Sequence, residues 1–278
     1  MSVVVTAADV AAAEAHPKTD SFAEFGADYA APGRSSGRLS RCSGCVDVRS
    51  ITKSVVALAI LKLHCDKKLN LADPVSNHLP AVFPGAADAS RDQITIDHLL
   101  QHWEFSYSNA GYQLLALIVE KTAGERIDTY CRRELWGGWG RGPIRWKRPR
   151  GVPLGQSGLC TTAGALAELG RRLLVSPELS EVRALAWQVT TADVPDRFNM
   201  MPAYGRGFWL SGDGRAVLGH GSQSNYWYFN LETQTGFARL HLSGTEIGDT
   251  LWEPEIGDTL YGKSGDWNEE LSRLDFLH

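Results

Sequence analysis

The stretch from Ser50 to Leu63 constrains this chain more than any other. Val55, Val56, Leu58, Ala59, Leu61 and Leu63 recur at helical spacing and predict a strongly apolar helix of about four turns. Leu69-Asn70-Leu71-Ala72-Asp73-Pro74 ends it, since proline blocks continuation. The longest clean apolar run, Val55 to Leu61, is far short of the roughly 18 residues that span a bilayer. No membrane partner is expected.

Further helices are predicted at Ile96 to Gln101 with Thr95 as cap, at Ala110 to Thr122 stopped by Gly124, and at Leu166 to Leu174. Ala7 to Ala15 reads as helical, Gly33 to Gly44 as loop, and Glu269 to Leu277 as a closing helix. In the last third the period changes. Tyr204 to Leu210, Tyr226 to Leu231 and Gly236 to Leu242 are aromatic and β-branched runs that predict antiparallel strands. Helices in the middle and strands at the end give an α+β order.

The 278 residues suit one large domain or two interleaved lobes. A net charge of -4, with both signs spread along the chain, gives no reason to expect nucleic acid as a partner. Met1 to Val10 carries no Lys or Arg and is interrupted by Asp9, so it is not read as a signal peptide. A cytoplasmic protein is expected, or a secreted one had a leader preceded this numbering. Five cysteines, an odd count, argue against a full disulfide framework. Cys42 and Cys45 form a C-x-x-C without a second metal-spaced pair, so a zinc or redox role is the minor reading. Gly33 to Gly37 matches G-x-S-x-G, but without the buried strand before it or the helix after it that the elbow requires. The hexapeptide Glu246 to Leu251 recurs at Glu255 to Leu260, too short for a solenoid.

Three short segments carry chemistry. Ser50-Ile51-Thr52-Lys53 opens the apolar helix, where residues three apart share a face, so hydroxyl and amine come within hydrogen-bond reach. A serine needs a base beside it, and a lysine serves as one only if burial or a neighbouring cation lowers its pKa. Tyr107-Ser108-Asn109 precedes another apolar helix: a phenol can relay a proton, and an amide can hold a substrate carbonyl. Gly219-His220-Gly221-Ser222-Gln223 lies at a candidate strand end, where a backbone N–H can complete an oxyanion hole with that of Ser50.

In this order, S-x-x-K, Y-x-N and H-G-[SG], the motifs resemble the serine β-lactamase-related family of class C β-lactamases, D-alanyl-D-alanine carboxypeptidases and β-lactamase-fold esterases. Leu71-Ala-Asp-Pro-Val, Ile94-Thr-Ile-Asp-His-Leu-Leu, Phe105-Ser-Tyr-Ser-Asn-Ala-Gly-Tyr and Ser157-Gly-Leu-Cys-Thr-Thr-Ala-Gly-Ala-Leu agree with that family's text. The resemblance runs from about Arg49 to Leu242, within one domain that spans residues 1–278. It implies a β-lactamase/transpeptidase-like fold, an antiparallel sheet with a helical lobe and a cleft between. It implies that Ser50 is acylated, that Lys53 and Tyr107 share acid and base duties, and that His220 stands where relatives carry lysine or histidine. Asn109 would orient the substrate, with Gly221, Ser222 and Gln223 lining the strand edge and the Gln223 N–H facing the oxyanion. A small ester, amide, D-amino-acid peptide or β-lactam is the expected substrate, with no metal or organic cofactor.

Four departures weigh on that expectation. Only Gln101-His102-Trp103-Glu104 stands where relatives carry a long insertion, so the cleft is expected to be shallower. Residues 1–48 show little of the paired strands the fold uses there, Ala165 replaces the usual acidic residue, and Ser222 replaces a glycine. They leave open a non-catalytic binding or sensor protein on the same fold. Trp136, Trp139 and Trp146 read as packing more readily than as an acyl pocket. The basic run Arg145 to Arg150 reads as a solvated loop, with an anion patch as the minor alternative.

Overall fold

The computed structural model describes residues 21–26, 38–40, 45–80, 82, 93–102, 107–138, 142–192, 194, 201–223 and 225–241. The readings at 7–15, 33–37, Cys42, Trp139, the repeated hexapeptide and 269–277 lie outside them.

The apolar stretch forms α1, Ile51–Cys65, and eleven consecutive residues, Ile51 to Leu61, are buried. A helix apolar on every side must be covered on every side. The covering starts with three short strands, β1 (Ser21–Gly26), β2 (Arg38–Ser40) and β3 (Val46–Asp47), and continues after α1 with α2 (Val75–His78), α3 (Ile96–Leu100), α4 (Asn109–Ala123) and α5 (Ile127–Glu134). Next come β4 (Arg145–Trp146), β5 (Leu159–Thr161), α6 (Ala163–Val175) and α7 (Ser180–Ala186). The chain then enters β6 (Ala203–Tyr204), β7 (Trp209–Leu210), β8 (Ala216–Gly221), β9 (Asn225–Asn230) and β10 (Thr235–Leu240). Helices α4, α5 and α7 pack on α1, which also lies on β8 and β9, while α6 covers β1 and β10.

Among the described residues, seven strands make one sheet in the order β2-β1-β10-β9-β8-β7-β6, antiparallel throughout, and β3-β5-β4 make a second. Alternation along the strands sorts side chains to two faces. Val217, Trp227, Phe229, Ala238 and Leu240 join the main core with α1. Ala216, Leu218, Tyr228 and Phe237 join Tyr204 and Trp209 in a second cluster. Each large aliphatic side chain removed from water this way contributes about 1.5–3 kcal/mol.

The fold is the expected α+β arrangement, with two corrections. The N-terminal segment read as poor in strands supplies β1, β2 and β3, and β1 lies inside the sheet between β2 and β10, paired along its whole length with β10. Its residues 21–26, Ser-Phe-Ala-Glu-Phe-Gly, are too short a run to stand out without their partner strand. The second correction is at Tyr204 to Leu210, predicted as one strand. It is a tight hairpin of β6 and β7, with Tyr204 opposite Trp209. The break is at Gly205-Arg206-Gly207: Gly207 has φ +85°, and a Cβ there would lie 2.5 Å from Ala57 Cβ on α1.

Arg206 at that turn is buried and reaches into the helical layer. It pairs with Asp97 on α3 at 2.6 and 3.2 Å and donates to Leu185 O and Gln188 Oε1, both at 3.1 Å. Removing one partner of such a pair strands the other charge. Asp97→Ala is therefore expected to destabilise the fold by about 2–3 kcal/mol, below the range for a fully buried pair because Asp97 is 26% exposed. Urea denaturation should show a lower midpoint with an unchanged m-value.

Candidate active site

Ser50 stands at the N-cap of α1, yet its hydroxyl does not cap the helix. Its φ/ψ of -67°/-6° is already helical and no side-chain capping bond forms. The hydroxyl is instead turned to Lys53, whose Nζ donates to Ser50 Oγ at 3.0 Å. A second Nζ proton goes to Gln156 O at 3.1 Å. Lys53 is 2% exposed, and no carboxylate pairs with it among the described residues. Burial of the ammonium, with nothing opposing it, pulls its pKa down from 10.5 to about 7.

The Gln156 carbonyl is itself held from α4. Gln113 Nε2 donates to Pro153 O at 2.5 Å, and Gly155 N–H donates to Gln113 Oε1 at 3.1 Å. Gly155 lies so close to α4 that a Cβ would sit 1.9 Å from Tyr112 O. On the other side of the loop, Leu159 N–H donates to Thr52 Oγ1 at 3.1 Å. The acceptor for Lys53 is thus clamped at both ends.

Tyr107 completes the cluster. Its phenol shares a hydrogen bond with the Ser50 hydroxyl, and its ring centroid lies 4.8 Å from Lys53 Nζ. Burial raises its pKa, the Ser50 contact lowering it in part, so it stays protonated at neutral pH. Behind it lies His102, 1% exposed, with its ring centroid 4.4 Å from that of Tyr107. His102 Nδ1 accepts from Ser108 N–H at 3.0 Å, which fixes the backbone beside Tyr107. Burial, reinforced by the nearby Lys53, holds the imidazole well below its ordinary pKa and so neutral.

The third predicted segment reaches the site along β8. Gly219 packs on α1, where a Cβ would lie 3.0 Å from Ser54 Oγ. At Gly221 a Cβ would lie 2.4 Å from Val48 O and 3.2 Å from Arg49 Cβ, so glycine alone lets this strand approach the chain leading into Ser50. Gln223, at φ +65°, accepts from Arg49 Nε on its Oε1 at 3.1 Å. Ser222 and Gln223 are exposed at the hairpin tip.

Position 220 lies on the face of β8 opposite to Gly219, the face of the second cluster, which Tyr107 and Tyr226 both border. The His220 ring packs on Tyr226 with centroids 5.4 Å apart, and burial lowers its pKa. Asn109 is the exposed first residue of α4 and makes no hydrogen bond among the described residues to Ser50 or Lys53; Ser108 caps that helix through Gly111 N–H. Sequence reasoning missed Gln156, His102 and Arg49. A main-chain acceptor such as Gln156 O leaves no residue-type signal at all, whereas the positive φ of Arg49 and His102 is a property of backbone alone.

The remaining candidates resolve into structure. Trp136 and Trp146 are buried and donate Nε1–H to Ala165 O and Leu154 O, each at 2.8 Å. Within the basic run, Lys147 pairs with Asp47 at 2.8 Å and Arg148 pairs with Glu120. Cys45 shares a thiol hydrogen bond with Cys160 across the small sheet. Ala165 is buried near the start of α6.

With this geometry in place, the comparisons with known proteins are specific. Residues 32–103 and 104–250 match the beta-lactamase family model. The chain belongs to the beta-lactamase family. The matched stretches meet between residues 103 and 104. Esterase EstB of Burkholderia gladioli is 42% identical over 82 residues, a match that takes in 30% of this chain and only 20% of that esterase. Among solved structures, a beta-lactamase from Mycobacterium bovis aligns with a TM-score of 0.60 at 20% identity, over 92% of this chain and 98% of that one. The hydrolase EstCE1, which has promiscuous acyltransferase activity, gives 0.62 at 16% identity over 80% and 88%. A D-stereospecific amidohydrolase from Streptomyces sp. gives 0.60 at 17% identity over 83% and 93%. At these identities the structures speak for the beta-lactamase fold alone, with its helices and antiparallel sheet.

In this family member the buried amine carries a pH-dependent cost. Between about pH 7 and 10.5 the unfolded chain holds a proton on Lys53 that the folded chain does not, so its contribution to stability rises with pH across that window. Below about pH 7 the folded protein bears the buried charge and the penalty is complete. Lys53→Met, of similar shape and without charge, is expected to melt above wild type at pH 6, with the gap narrowing towards pH 9.5. Thermal melts at the two pH values check it.

Proposed function

We propose that this protein is a serine hydrolase that transfers the acyl group of a small, uncharged ester or amide to water through an acyl-enzyme on Ser50. The observation that carries this reading is the buried Lys53 amine, 3.0 Å from Ser50 Oγ, with a pKa near 7 and no carboxylate among the described residues to hold its proton. Half-deprotonated at neutral pH, it can take the hydroxyl proton as Oγ attacks the acyl carbon. The carbonyl oxygen then gains negative charge at the start of α1, where the N–H of Ser50 and that of Gln223 would receive it beside the positive end of the helix.

Collapse of the tetrahedral intermediate expels the leaving alcohol or amine, which must be protonated. Tyr107, hydrogen-bonded to Ser50 and beside Lys53, is placed to pass that proton on and to be refilled from the amine. Water then attacks the ester on Ser50 by the same relay in reverse, and free serine and acid are regenerated. His220 is kept uncharged by burial and so offers no cation to a substrate carboxylate. That favours neutral esters and amides over β-lactams, which carry a carboxylate. The esterase name of the EstB match leans the same way.

A fluorophosphonate is expected to add one covalent mass to Ser50, and Ser50→Ala to abolish both labelling and p-nitrophenyl ester turnover. Label surviving in Ser50→Ala would reject the reading. Labelling of wild type without steady-state hydrolysis would instead favour a binding protein on this fold. The kcat/KM profile should rise with pH and level off above an apparent pKa near 7, because the base must lose its proton first. A profile flat from pH 5.5 to 8.5 would remove Lys53 from that role.

A further inference from the structure

Two non-glycine residues with left-handed backbone flank the proposed oxyanion site: Arg49, at φ 53°, immediately before Ser50, and Gln223, at φ 65°, at the tip of the β8–β9 hairpin. Each such conformation costs about 1–3 kcal/mol and persists only where its surroundings impose it. Packing does not impose it at Gln223, which is exposed. Glycine would adopt that backbone without strain, so the glutamine side chain is retained at a cost.

What that side chain does is specific. Its Oε1 accepts from Arg49 Nε at 3.1 Å and so ties the hairpin tip to the residue ahead of the nucleophile. Arg49 is in turn fixed twice to Asp47: its own N–H donates to Oδ1 at 2.8 Å and its guanidinium lies 3.2 Å from Oδ2. Lys147, 2.8 Å from Oδ2, holds that carboxylate in place. A parallel tie runs from the start of β9, where buried Asn225 donates Nδ2–H to Asp47 O at 3.3 Å and accepts from His241 N–H at 2.7 Å. Asp47 is thus the common anchor for the approach to Ser50 and for the hairpin that ends in Gln223.

We propose that the Arg49–Gln223 side-chain pair, anchored on Asp47, is a positioning device that fixes the spacing between the N–H groups of Ser50 and Gln223 around the developing oxyanion. The inference rests on the acyl-transfer reading and deepens it. Neither side chain touches the reacting atoms. Both act through the backbone, so their loss should slow the chemical step and leave ground-state binding unchanged.

The test is the rate of Ser50 modification by a fluorophosphonate. In that reaction the Ser50 Oγ–P bond forms, the P–F bond breaks with loss of fluoride, and the serine proton passes to Lys53, while the phosphoryl oxygen sits where the oxyanion would. Gln223→Gly and Arg49→Met are each expected to lower the maximal inactivation rate about tenfold, less than the 10²–10³ lost when an oxyanion donor is removed outright. The half-saturating concentration should stay the same. Gln223→Gly should at the same time melt at or above the wild-type temperature, since it relieves strain, which separates positioning from folding. Gln223→Glu keeps an acceptor for Arg49 Nε and should retain the rate within about threefold. The double variant Arg49→Met/Gln223→Gly should be no slower than either single one. Wild-type rates in Gln223→Gly, a Gln223→Glu as slow as Gln223→Gly, or additive losses would each overturn the latch while leaving the acyl-transfer reading intact. Labelling that does not depend on Ser50 would overturn both.

Discussion

Keeping the Lys53 ammonium out of water is the constraint around which the rest of this structure is arranged. A charged amine in a core is expensive, and the fold offers it no carboxylate among the described residues; it offers two oxygen acceptors, Ser50 Oγ and Gln156 O. The consequence is an amine whose proton is lightly held at neutral pH. An ion pair at the same place would have had the opposite effect, raising the pKa and removing the base. The chemistry thus depends on what surrounds Lys53 as much as on its position three residues after Ser50.

That surrounding is made by elements far apart in the chain. α4 holds the loop that presents Gln156 O, Thr52 receives Leu159 N–H from the same loop, and Gly207 and Gly219 let strands close over the outward face of α1. Each contact serves packing and site at once. Ser54, one residue past Lys53, donates to Gly207 O at 2.6 Å and so locks the first turn of α1 to the β6–β7 hairpin that Arg206 ties to α3. A helix fixed on that many sides has little freedom to move its two functional side chains apart.

How much of this could be read from the sequence follows from what sequence patterns encode. Periodicity located α1, Thr95 and Gly124 marked helix ends that the structure places within a residue, and the S-x-x-K and Y-x-N spacing led to Ser50, Lys53 and Tyr107. Strand β1 was illegible because its stability comes from β10, more than two hundred residues away. The expected strand from Tyr204 to Leu210 was broken at Gly205-Arg206-Gly207, where Gly207 takes a positive φ and packs on Ala57, contacts that no local pattern encodes. Gln156 and the Asp47 network were invisible for another reason. They work through carbonyls, N–H groups and backbone angles, which any residue type can supply.

The two histidines near the site show why residue identity alone does not assign charge. His102 and His220 are both pushed towards the neutral form by burial, His102 with the added repulsion of Lys53. A cationic His102 would lie against the ring of Tyr107 and beside the amine that must shed its proton, and would deepen the depression of the Lys53 pKa. Its neutrality keeps Lys53 near 7 and lets Nδ1 accept from Ser108 N–H, which a doubly protonated ring cannot do. On the proposed mechanism, acidification would therefore strike this site twice, by protonating Lys53 and by straining the hydrogen bond that holds the backbone of Tyr107. Of the two, Lys53 titrates first, because its pKa is the higher, so loss of the base precedes any loosening of the loop.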